Sequence, residues 1–191
     1  MPPGGRPWGE SRILITLGHI FRAQGEYARA TQVLEEALAQ VRQIGLTWGI
    51  ANILTSLALV ARDQGDYLRA PALYREALAL HQTFGNKTYI AWVVEGMATA
   101  ACALDQHARA AQLCAAAERL RGEMNAPRPP AEQERYDQTI TAAQEALGSG
   151  RFEYLWAAGQ LCSLEEAIGF ALAEDSERRA QDEEEREHAG R

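Results

Sequence analysis

Four histidines, three cysteines and one lysine are the residues of this chain with most chemical reach. His19, His81, His107 and His188 share no metal-ligand spacing with one another or with Cys102, Cys114 and Cys162. The cysteines have no CxxC spacing and are odd in number, which fits a reducing cytoplasm better than a disulfide framework. Cys102 and Cys114 could face each other across two helices, and buried inert thiols account for them more simply. Lys87 is the only lysine. It stands in "FGNKTYI", with no Gly directly before it and none five residues earlier, so it fails as a phosphate loop. Glu165-Glu166 is adjacent on a helix and points apart, and Glu166 completes a capping box with Ser163. No convergent constellation remains. The expectation is a non-enzyme with no catalytic residue, no metal and no cofactor.

The elements that would position any site are dictated by a period of forty residues. "QGEYARA" at 24–30 returns as "QGDYLRA" at 64–70. Leu17 corresponds to Leu57 and Met97, Gly18 to Ala58 and Ala98, and Gly25 to Gly65 and then Asp105. Arg29-Ala30, Arg69-Ala70 and Arg109-Ala110 agree in all three copies, as do Ala37, Ala77 and Ala117. Within a copy, Ile13, Leu14, Leu17, Ile20 and Phe21 form one helical stripe, and Tyr27, Ala30, Val33, Leu34, Ala37, Leu38 and Val41 form a second. Gly25 closes the first helix, and Gly45 and Gly85 close second helices. A lone helical hairpin cannot cover its own apolar faces, whereas stacked neighbours cover them for each other. Pro71 replaces Thr31 early in a second helix, where a local distortion is expected.

These residues resemble the tetratricopeptide repeat. The first copy supplies Leu17, Gly18, Phe21, Gly25, Tyr27, Ala30, Leu34 and Ala37; the second supplies Leu57, Ala58, Ala61, Gly65, Tyr67, Ala70, Tyr74 and Ala77. HEAT-type repeats share the longer interval but do not explain the Gly-x-Tyr-x-x-Ala phrase. The resemblance implies an all-α, right-handed α-solenoid of antiparallel helix pairs. Hairpins are expected at about 8–44, 47–84 and 87–122. A Pro-rich connector at 123–131, capping helices at 132–174 and a charged, disordered tail at 175–191 complete the expected layout.

The last third resembles the end of the helical-repeat region in large bacterial ATP-dependent transcriptional regulators of the LuxR type. The resemblance rests on Arg109 to Ala111, Ala116 to Arg121, Pro129-Pro130, Tyr136, Ala146 to Gly148, Phe152 to Gly159 and Leu164 to Ala167. Such regulators carry an ATP-binding domain upstream and often a helix-turn-helix downstream. Neither is legible here, so only the repeat region's role in regulatory contact or sensing is implied.

In this repeat family the inner face, made by the first helix of each hairpin, holds a peptide or a partner's helix. Its expected members are Arg12, Ile15, His19 and Arg22, then Asn52, Thr55, Leu59 and Arg62, then Trp92, Glu95 and Thr99. Trp92 is a candidate anchor. The groove has no lysine, so the family's clamp for a terminal carboxylate is not expected. The expected partner is a protein or peptide, in a regulatory role. A small-molecule or peptide sensor controlling an ATPase or DNA-binding partner is the alternative, and an enzyme accessory domain the third reading.

Charge and hydropathy narrow the setting. Of a net −7, −4 falls in 174–191, so the body is only mildly acidic and offers no bulk positive surface for nucleic acid. No apolar run reaches the roughly 18 residues of a membrane span. "MPPGGRPWGES" lacks the apolar core of a signal peptide, so a soluble cytoplasmic protein is expected. Trp8-Gly9 repeats as Trp48-Gly49, like a lead-in from an earlier repeat. The first helix should therefore leave apolar surface open to self-association or to upstream sequence.

Overall fold

The computed structural model describes residues 5–173, with the backbone alone for residues 5–8 and 10. The tail expected at 175–191 and the Trp8 side chain lie outside the described residues. Within them the chain forms α1 (Gly5–Ala23), α2 (Tyr27–Gln43), α3 (Thr47–Gln64), α4 (Arg69–Thr83), α5 (Lys87–Ala103), α6 (His107–Met124), α7 (Pro130–Leu147), α8 (Ser149–Leu161) and α9 (Leu164–Leu172), and no strand. Helices α1 to α6 pack in order, each on the next, as three stacked hairpins. The fold is the all-α solenoid of helix pairs that the period implies.

The period is finer than forty. Left-handed residues fall at Gly25, Gly45, Gly65, Gly85, Asp105 and Asn125, one every twenty positions. Each ends a helix with the same pair of backbone bonds. At the first, Gly25 N–H donates to the Arg22 carbonyl and Glu26 N–H to that of Phe21; at the last, Asn125 donates to Gly122 and Ala126 to Arg121. This cap needs positive φ, which Gly adopts freely and Asp or Asn at modest strain. The third copy's turn, which departs from the pattern in sequence, thus keeps it in structure, with Asp105 at φ 60°.

Pro71 has a similarly local solution. Helix α4 begins at Arg69, two residues later than the position equivalent to Tyr27 in α2. That delay puts Pro71 in the first turn, where no backbone donor is required of it. The distortion is a shortened helix, not a kink.

Packing follows from the small residues. Ala30, Ala70 and Ala110, and Ala37, Ala77 and Ala117, are all fully buried. A Cβ on Gly18 would stand 2.6 Å from Leu34 Cγ, and one on Gly96 would stand 2.3 Å from Tyr74 Cζ, so each glycine makes room for the large residue of a second helix. At the far end α7 and α8 pack on α6, and α9 packs on α4, α5 and α6. A Cβ on Gly159 would meet the Gln112 carbonyl oxygen at 2.4 Å, while the Phe152 and Trp156 rings stack 5.5 Å apart. The Phe-x-x-x-Trp-x-x-Gly pattern is therefore the face that seats α8. Helix α9 opens with the capping box of Ser163 and Glu166, and Arg109 donates to the carbonyls of Phe170, Ala171 and Ala173 at its other end.

Two turn substitutions should have opposite signs. Gly65→Ala should lower the unfolding free energy by about 1 kcal/mol, and Asp105→Gly should raise it by about 0.5 kcal/mol, in urea titrations. Destabilisation by Asp105→Gly would mean that the contact of Asp105 with His107, 3.6 Å away, outweighs the backbone strain.

Candidate functional site

The inner face is made by α1, α3 and α5, and residues forty apart form rows across it. Arg12, Asn52 and Trp92 make one row; Ile15, Thr55 and Glu95 the next. Beyond them lie His19, Leu59 and Thr99, and last Arg22 with Arg62. The structure divides these rows into an open half and a filled half.

The open half is a cavity of about 220 Å³ between the three helices. From the expected set it is lined by Arg12, Ile15 and His19 on α1, Asn52 and Thr55 on α3, and Trp92 on α5. Thr16, Trp48, Ser56 and Tyr89 also line it and were not singled out from sequence. The signal for the aromatics was present: Tyr89 and Trp92 are three apart on one helix face, and their rings lie 6.0 Å apart.

Its hydroxyl residues Thr55 and Ser56 are each paired with a histidine, His81 behind the lining and His19 within it. Thr55 Oγ1 donates to the Ala51 carbonyl and Ser56 Oγ to that of Asn52, each using its single proton. That leaves His81 Nε2 to donate to Thr55 at 3.1 Å and His19 Nε2 to donate to Ser56 at 3.2 Å. The His81 ring also stacks on Tyr89 at 4.8 Å. Burial pushes the His81 imidazole down to about 4 and outweighs the opposing effect of the Ala51 carbonyl. Burial, then the charge of Arg22, lowers His19. Burial thus disfavours the charged form of both imidazoles, and Arg12 is the permanently charged residue of the lining. Trp92 Nε1 is buried and has no hydrogen-bond partner.

The other half of the inner face is occupied by the chain itself. Arg62 clasps Glu132, in the first turn of α7, through two hydrogen bonds of 2.9 and 3.2 Å. Arg22 reaches Asp63 at 2.9 Å and Glu132 at 3.4 Å, and Arg135 on α7 pairs with Asp63 at 3.2 Å. Glu95 is held by Arg121 at 2.6 and 2.8 Å and by Arg128 of the connector at 2.6 Å. Thr99 meets Thr139 of α7 at 3.2 Å. Burial alone would raise the Glu132 carboxyl. The hydrogen bond and charge of Arg62, with Arg22 and Arg135, outweigh it and hold Glu132 below its ordinary value.

Five residues expected in a partner's groove are therefore placed otherwise. Leu59 is fully buried core; Arg62 and Glu95 are buried ion-pair partners. Arg22 and Thr99 face α7. Four of them are met by the chain's own C-terminal part: the α7 carboxylate Glu132 neutralises Arg22 and Arg62, Thr139 of α7 meets Thr99, and Arg121 of α6 with Arg128 of the connector holds Glu95, whereas Leu59 is covered as apolar core.

Removing one member of a buried pair should be costly. Glu132→Gln should destabilise by about 3 kcal/mol, and the double change Arg62→Met with Glu132→Leu by clearly less than that. Urea unfolding of the three proteins reads the difference. A loss of about 0.5 kcal/mol or less for Glu132→Gln, as at an exposed pair, would show that this contact does not hold α7.

Among the described residues, no group of three or more His, Cys, Asp or Glu could hold a metal ion, and no helix is long and apolar enough to cross a membrane. Two stretches of the chain match family models, each described as a tetratricopeptide repeat: residues 13–46 and residues 50–83. Among curated proteins, none matches the chain. The matches cover most of the first two hairpins, beginning within α1 and α3 just past the cavity-lining Arg12 and Trp48. Those two hairpins thus carry the match to the tetratricopeptide repeat, over somewhat more than a third of the chain.

Proposed function

We propose that the chain is a non-catalytic module that binds a protein or peptide in the open half of its inner face, in a regulatory role. Tetratricopeptide repeats generally mediate protein–protein interaction. The observation that carries the assignment to this face is the cavity between α1, α3 and α5, with Trp48, Tyr89 and Trp92 in its wall. A volume of about 220 Å³ is below the range usual for small-molecule sites, roughly 300–1,000 Å³. It suits one or two side chains of a longer partner, which favours partner binding over metabolite sensing. The regulatory part rests on the resemblance of residues 109–167 to the repeat region of LuxR-type bacterial transcriptional regulators. A reducing, cytoplasmic setting agrees with the free thiols of Cys102, Cys114 and Cys162. ATP and DNA binding form no part of the proposal.

An array of capped hexapeptides, probed with the wild type and with a Trp92→Ala, Asn52→Ala variant whose helicity is intact by circular dichroism, tests the site. Binders of the wild type should lose about tenfold or more in the variant. Unchanged binding would place the contact elsewhere.

Self-association through α1 is a second part of the proposal. Ile13 is 62% exposed and Ile20 45%, whereas their equivalents Ile53 and Val60 are 0% and 1% exposed under α2 and its neighbours. Sedimentation velocity should show reversible dimers at high concentration, abolished by Ile13→Glu with Ile20→Glu. A wild type that stays strictly monomeric would count against it.

A further inference from the structure

The same pair of places carries a different chemistry in each hairpin. In the third, Glu95 of α5 is held by Arg121 of α6, twenty-six residues later. Forty residues earlier those places hold Thr55 of α3 and His81 of α4, which meet at 3.1 Å. Forty earlier again they hold Ile15 and Val41, both apolar. Only in the middle hairpin does this level contain a side chain whose free form titrates near neutral pH.

His81 is 2% exposed. Thr55 gives its one proton to the Ala51 carbonyl, so the imidazole is the donor between the two side chains. The ring also stacks on Tyr89, which with Trp92 belongs to the aromatic wall of the cavity. His81 thus stands behind the lining and touches it twice, on α3 and on α5. Among these contacts Tyr89 is the one titratable partner, and among the described residues no carboxylate pairs with the imidazole. The buried charges of the flanking helices are engaged elsewhere, Arg62 of α3 by Glu132 and Glu95 of α5 by Arg121 and Arg128. Helix α9 also packs on α4, and its buried residues are Ala167, Ile168 and Ala171. With burial and no acid beside it, the imidazole is held down at about 4.

We propose that His81 is the positioning residue of the binding cavity: from behind the lining it fixes the Thr55 hydroxyl and backs the Tyr89 ring, and it makes the opening of that wall proton-linked. The inference rests on the groove reading above and adds a regulation to it. Neutral, the ring donates to Thr55 and supports Tyr89. Charged, it has no acid to meet, and the proton is taken up where the hairpin opens and water reaches the ring. The closed wall is therefore at full strength above about pH 6.5, where a free imidazole titrates, and weakens as the pH falls from there towards 4.

Three measurements test this. At pH 7, His81→Ala should shift the indole N–H NMR signal of Trp92 and leave that of Trp156, in α8, in place. His81→Gln keeps a side-chain N–H for Thr55 and should restore the Trp92 signal. A hexapeptide binder from the array should weaken about tenfold in His81→Ala and stay within about twofold of the wild type in His81→Gln. Amide hydrogen exchange reads the opening itself. After correction for the intrinsic rate, protection across α4 and the first turns of α5 in the wild type should fall about twentyfold between pH 7 and pH 5. His81→Gln cannot titrate and should lose most of that fall, while His19 is common to both proteins. Should His81→Ala not fold, His81→Phe takes its place, since it keeps a ring against Tyr89 and lacks the bond to Thr55. A Trp92 signal unmoved by removal of the imidazole overturns the positioning role. Protection that is equal at both pH values in the wild type, or falls undiminished in His81→Gln, overturns the proton link. A failed array screen would sink the groove reading, while the Trp92 signal and the exchange data still decide His81.

Discussion

The distance between paired helices governs everything else in this protein. At Ala30, Ala70 and Ala110 the second helix of each hairpin meets its neighbours through a methyl group, and all three are wholly sequestered. Small residues there let two backbones approach while larger partners, Leu34, Tyr74 and Cys114, fill the layer beside them. Interiors of this kind are packed at the density of organic crystals, so the spacing has little freedom to vary. The same small residue recurs at all three crossings, and the rows of side chains across α1, α3 and α5 follow from that repetition.

The architecture was legible because its causes are local. A stripe of apolar residues, a closing glycine and an alanine at the crossing each act within a few residues of their own position, and each recurs. The cap spacing of twenty was half hidden because Asp105 and Asn125 stand where earlier copies have glycine. Both residue types tolerate the left-handed region, so chemistry that reads as degraded keeps its geometry. Pro71 could be flagged but not resolved, because the delayed start of α4 depends on where the preceding turn releases the chain.

The site was legible only in part, and the boundary has a physical meaning. Periodicity identifies which residues face inward, and six of them do line the open cavity. It does not tell what arrives there from elsewhere in the chain. Glu132 is seventy residues from Arg62, and nothing in the local pattern around either one announces the other. A hint was available in composition: an inner face that carries Arg22, Arg62 and Glu95 beside a fully apolar Leu59 is not a uniform binding surface. Charges at such a place need partners when covered, and α7 with its connector is what covers them. The aromatic wall was underread for a different reason. Trp48 and Tyr89 belong to the opening turns of α3 and α5, ahead of the apolar stripe from which the inward positions were counted.

The two ends of the stack are unlike. Beyond α6, the place of a fourth hairpin is taken by α7 and α8, pressed close at Gly159, with α9 fastened by Arg109. At α1 the apolar ridge of Ile13 and Ile20 stays bare. The far end is not uniformly polar either: on α8, Tyr154 is 74% and Leu161 85% exposed. A pairing of two copies through the α1 ridge would be isologous, each copy offering the same patch, and such a pair closes about a two-fold axis.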